Sequence, residues 1–96
     1  MPVVTRMTSF VEIGPDWEPL TNGQTFVLIQ AISTGVVHIH GAAAGDSDPA
    51  GDEGHVTIAR NSTDMESSFS AGGLPEGTRF FARAVKGRET ISVLAY

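Results

Sequence analysis

Eleven Gly and five Pro cut these 96 residues into short pieces, and no window between them keeps apolar side chains at helical spacing. What recurs instead is the alternation of a half-buried strand. Candidate strands cover residues 8–13, 24–32, 36–41, 55–60, 79–85 and 89–96, with weaker ones at 17–20 and 66–69. This layout predicts an all-β chain with one domain over residues 1–96, a small antiparallel β-sandwich or jelly roll of about eight short strands.

The last twenty residues carry the clearest pattern. They read as two strands folded back about Lys86-Gly87, with Phe80, Ala82 and Ala84 on one face of the first and Ile91, Val93 and Ala95 on one face of the second. On the opposite face of the first strand stand Arg79, Phe81, Arg83 and Val85, so neither face is purely polar. The segment 25–32 is apolar on both faces at its centre, which predicts a central strand covered on both sides. Thr21-Asn22-Gly23 supplies the left-handed positions of a tight hairpin before the segment 24–32, and Leu74-Pro75-Glu76-Gly77 supplies similar turn chemistry before the last two strands. Two polar segments, 42–54 and 61–73, are long for so small a domain and point to a role for the loops.

Charge and length narrow the partners. Six Lys+Arg against eleven Asp+Glu give a net charge of -5, which repels phosphate backbones and anionic headgroups, so neither nucleic acid nor a membrane is expected as a partner. Residues 1–10 lack the apolar run of a signal peptide, and no segment reaches bilayer length, which points to assembly in the cytoplasm. A chain of this size buries only about 64% of its unfolded surface. Without Cys it has no disulfide to add stability, so a partner surface is the expected supplement.

Chemistry-bearing residues are few. His38 and His40 sit two apart on one strand, and His55 opens the next, so a three-histidine metal site is the sharp reading and an outward polar strand face the bland one. The bland one is preferred, and neither a metal nor any other cofactor is expected. Asp46, Asp48, Asp52 and Glu53 superficially match a calcium loop, but Ala50 stands where an oxygen ligand is needed and the far bidentate Glu is missing. Asn61-Ser62-Thr63 is an acceptor sequon that reads as ordinary turn chemistry. Ser47 lacks a nucleophile-elbow setting, and no catalytic triad or phosphate loop is legible, so no enzymatic activity is expected. Trp17, between Pro15 and Pro19, either plugs an end of the sandwich or anchors an interface. The Arg79, Phe81, Arg83 stripe is either a solvated face or a contact centre. Trp17, Arg79, Phe81 and Arg83 are the candidate interface residues.

Trp17, the strand Phe26-Val-Leu-Ile-Gln30, and Leu74-Pro-Glu-Gly-Thr-Arg-Phe-Phe-Ala-Arg-Ala84 running on to Tyr96 together resemble small virion proteins of tailed bacteriophages, of the head decoration, cement and head-fibre-base type. The acidic loop 45–54 and the paired histidines depart from that pattern. The resemblance implies a virion structural protein that binds and stabilises the capsid lattice. It further implies the major capsid protein and other copies of the chain as partners, with a trimer as the first expectation. One alternative is a phage tail or fibre module that binds a host-surface glycan through Trp17 and the two long loops. A second is a small cupin-like metalloprotein built on His38, His40 and His55.

Overall fold

Every second residue along the main strands is apolar, and the fold turns these residues inward. The computed structural model describes residues 7–50, 56–60 and 65–96. Its strands are β1 (Met7–Ile13), β2 (Glu18–Pro19), β3 (Val27–Ala31), β4 (Val36–Ala42), β5 (Val56–Ala59), β6 (Ser68–Ala71), β7 (Arg79–Ala84) and β8 (Glu89–Ala95). They form two antiparallel four-stranded sheets, β1-β8-β3-β6 and β2-β7-β4-β5. The pairs β1–β8, β2–β7, β3–β6 and β4–β5 nest inside one another, which is the jelly-roll arrangement. The expected all-β sandwich of eight short strands is what the chain forms.

Between the sheets lies one core. Ile13, Val27, Ile29 and Ile91 come from the first sheet, Val37, Ile39, Ile58 and Phe80 from the second, and Ala82, Ala84 and Ala95 fill the narrow places. Phe69 joins them and tilts against Phe80 with ring centroids 5.5 Å apart. The strand expected at 66–69 sits slightly later, at Ser68–Ala71, because its register against β3 pairs Phe69 with Ile29 and Ala71 with Val27 and so turns both apolar residues inward.

Two expected hairpins do not form. β7 and β8 flank Lys86-Gly87 but lie in different sheets. A strand has only two edges, and those of β7 are taken by β2 and β4 while those of β8 are taken by β1 and β3. Their apolar faces still meet, but across the core and not side by side. The same holds at Thr21-Asn22-Gly23, where the chain crosses from β2 to β3 in the other sheet. Thr21 is buried there, and its Oγ1 accepts the Phe80 N–H at 2.9 Å.

β3 is interior to its sheet but is not covered on both sides, since Gln30 is exposed and Leu28 half-buried on its outer face. Val56 faces inward by register with Ile39, yet at the start of an edge strand it remains exposed. The turn after Leu74 closes with the Thr78 N–H donating to the Pro75 carbonyl at 3.2 Å. Gly77 carries the positive φ of 83° that this turn requires.

Gly41 is required for a different reason. It pairs with Phe80 across β4 and β7, and a Cβ there would lie 2.9 Å from the Phe80 ring. Because that ring is packed in the core, it has nowhere to retreat. Gly41→Ala is therefore expected to cost ~1–3 kcal/mol, read as a lowered urea midpoint at an unchanged m-value. An unaltered midpoint would show that the ring has room to move.

Candidate functional site

β4 and β7 alternate, so the residues that do not enter the core share the outer face of the β2-β7-β4-β5 sheet. Register places His40 opposite Phe81 and His38 opposite Arg83, and on the far side of β7 Pro19 lies opposite Phe81. The segment between β1 and β2 then brings Trp17 over this surface. Its ring lies 5.0 Å from the Arg83 guanidinium carbon and 5.8 Å from the His40 ring. The fold thus gathers Trp17, Arg79, Phe81 and Arg83 with His38 and His40 on one face. Trp17 covers the outside of a sheet and does not plug an end of the sandwich.

From the other side the acidic loop folds over the same face. Asp46 closes the loop's own turn, its backbone N–H donating to the Ala43 carbonyl and its Oδ2 accepting the Ala43 N–H, each at 3.1 Å. Gly45, with φ 87°, allows that turn. Arg79 then ties the loop down, donating to Asp48 Oδ1 and to the Asp46 carbonyl at 2.5 Å each. Two of the four loop carboxylates are thereby used for local structure. Asp52 and Glu53 lie outside the described residues, as does the sequon 61–63.

This enclosure changes the role of Phe81. Its ring is on the expected outer face, opposite to Phe80, but it is only 3% exposed, with Arg79 over the ring at 5.5 Å. A partner would touch the cover of Trp17, Arg79, Arg83 and the loop, so the expectation of Phe81 as a contact anchor is corrected: its area is already buried within the chain.

His38 and His40 share one face as their spacing predicts. Arg83 Nη2 lies 3.3 Å from His38 Nδ1. A guanidinium only donates, so in this contact Nδ1 is the acceptor. His55, the third member of the weighed metal site, lies outside the described residues. Among the described residues no group of three or more His, Cys, Asp or Glu is placed to hold a metal ion.

A cleft of about 370 Å³ opens between the Trp17 segment and the loop. Phe81 lines it with Trp17 and Arg83, and Asp16, Asp48 and Pro49 complete the wall. Asp16 and the buried Pro49 were not legible as site residues, and Asp48 was legible only as part of a calcium-like loop. The cleft exists because two segments distant in sequence meet over β7, and no local pattern signals that meeting.

Among the described residues nothing covers the outer face of the other sheet. Its rows, set by register, run Leu94–Leu28–Ser70 and Phe10–Ser92–Gln30–Ser68, with Glu12 beside Thr90 at one end. Phe10 is 75% exposed. The only ionisable side chain in these rows is Glu12, and Arg88 pairs with it.

Comparison with known protein families, with curated proteins and with solved structures gives no match to this chain. No helix among the described residues is long and apolar enough to cross a membrane.

Because the Phe81 ring is enclosed, Phe81→Ala is expected to cost ~3 kcal/mol or more, comparable to Phe80→Ala in the core. Chemical denaturation of both variants checks this. A Phe81 variant as stable as the parent would mean that the cover over β7 does not hold.

Proposed function

We propose that this chain is a non-enzymatic structural protein of a tailed-phage virion, a capsid decoration or cement protein that docks on the capsid lattice as an oligomer. The observation that carries the reading is the bare face of the β1-β8-β3-β6 sheet. In a chain of net charge -5 this face presents Phe10, Leu28 and Leu94 among Ser, Thr and Gln side chains. Depletion of charge together with aromatic side chains distinguishes the cores of protein interfaces from ordinary surface. Hydroxyls and amides both donate and accept, so the face can meet a neighbour without leaving an ion desolvated.

The resemblance to phage head proteins supplies the partner class: the major capsid protein, with neighbouring copies of the chain. A small flat face gives modest affinity per copy, and repetition on a lattice multiplies it. The acidic charge outside this face keeps a coated particle soluble.

Co-sedimentation of purified protein with emptied capsids of the parent phage tests the proposal, together with the protein's mass in solution. Phe10→Glu is expected to leave the melting temperature nearly unchanged, because the ring is exposed, and to weaken capsid binding at least tenfold, about 1.4 kcal/mol. Capsid binding that is indifferent to Phe10→Glu, or no binding by the parent protein, would overturn it.

A further inference from the structure

The cleft beside Trp17 has a chemistry that the bare face lacks. We propose that it is a binding site for a neutral saccharide, with a pyranose ring laid against Trp17 and its hydroxyls shared between Arg83 and the carboxylates of Asp16 and Asp48. The proposal goes beyond lattice docking and does not depend on it, since the cleft and the bare face are on opposite outer surfaces of the sandwich.

Three features support it. The first is an aromatic platform fixed before any ligand arrives. Trp17 follows Pro15 and Asp16, precedes the β2 edge, and rests against Arg83 at 5.0 Å and His40 at 5.8 Å. A platform already held in place loses little side-chain freedom on binding. The indole offers an apolar surface of the kind that matches the C–H face of a sugar ring.

The second is the pairing of donors and acceptors. A sugar hydroxyl donates one hydrogen bond and accepts others, and a diol asks for both at once. A guanidinium only donates and an ionised carboxylate only accepts. The cleft places Arg83 with Asp16 and Asp48 around one hollow. Arg79 takes one acceptor site on Asp48. A carboxylate has about four such sites, so capacity remains for a hydroxyl.

The third is charge and size. Two carboxylates line the cleft in a chain of net charge -5, which disfavours an anionic sugar and leaves a neutral one. A volume of about 370 Å³ falls at the small end of small-ligand clefts, which run from ~300 to ~1,000 Å³. The lining is mixed, with Trp17, Pro15 and Pro19 as apolar surface beside the polar groups, as expected where a few placed polar atoms fix the orientation of a ring.

Trp17 is the single tryptophan of the chain, so its fluorescence reports on this site alone. The full chain is titrated with methyl glycosides of glucose, galactose, mannose and N-acetylglucosamine, with lactose and maltose, and with N-acetylneuraminic acid and glucuronate as anionic counterparts. A saturable change in Trp17 emission is expected with at least one neutral sugar, with Kd on the order of 1 mM, as suits one shallow site. Backbone amide shifts in NMR should map to residues 16–18, 48, 50 and 81–83. Asp16→Asn, at an exposed position that leaves the fold intact by circular dichroism, should weaken binding at least tenfold. Phe10→Glu, on the opposite face, should bind the sugar as the parent does. The proposal is overturned if no neutral sugar gives a saturable response, if the response survives Asp16→Asn undiminished, or if the anionic sugars bind more tightly.

Discussion

The nesting of β1–β8, β2–β7, β3–β6 and β4–β5 makes the chain one long antiparallel hairpin rolled upon itself, and every other feature depends on that closure. Only β4 and β5 are both consecutive and paired. All the other pairs bring together residues far apart in sequence, so the loop-closure entropy of almost the whole chain is lost before the outermost pair forms. The two-sided attachment of β7, to β2 and β4, and of β8, to β1 and β3, is what locks the roll. Without β8, both β1 and β3 would lose their shared neighbour, and the sheet would separate down its middle.

Closure also decides why the two outer faces differ. In one sheet β2 is a two-residue edge whose approach from β1 carries Trp17 across β7, and the long connection out of β4 returns over the same strands, tied by Arg79. Both covers are therefore on the same face. Among the described residues the other sheet has no such visitor. Its edge strands β1 and β6 run directly into turns, and its outer rows stay bare among the described residues. That asymmetry gives a small sandwich two chemically distinct surfaces, one aromatic with guanidinium and carboxylate groups around a cleft, the other flat and nearly uncharged.

Strand positions were legible because alternation is local. Six main strands and both weaker ones appear where Gly and Pro punctuation places them, and the inward sets Val27, Ile29, Ala31 and Ile91, Val93, Ala95 follow from period two alone. Pairing was not legible, because a turn such as Lys86-Gly87 specifies a reversal without specifying which sheet receives the next strand. The outward phase of Arg79, Phe81 and Arg83 was also readable. The enclosure of Phe81 was not, since its cover comes from Trp17's segment and from a loop whose polar composition gives no sign that Pro49 is buried. Burial of an outer-face residue is a tertiary event, and alternation reports only which side a side chain takes.

Phe10 shows the converse. Within Thr8, Phe10 and Glu12 it is an aromatic in the polar phase of its strand, and the structure leaves it there, exposed, with no segment among the described residues returning to cover it. A side chain of that size in water forgoes roughly 1.5–3 kcal/mol of burial. A lone exposed aromatic is ordinary. One seated in a nearly uncharged sheet face is less so, because flat unpaired faces also invite indiscriminate association, and Glu12 paired with Arg88 is the only charge in its rows to oppose it. Under the proposed docking role a partner covers this face. Since the cleft opens on the opposite side of the sandwich, a chain docked through Phe10 would hold Trp17 toward the surrounding solvent, so the two surfaces can act at the same time.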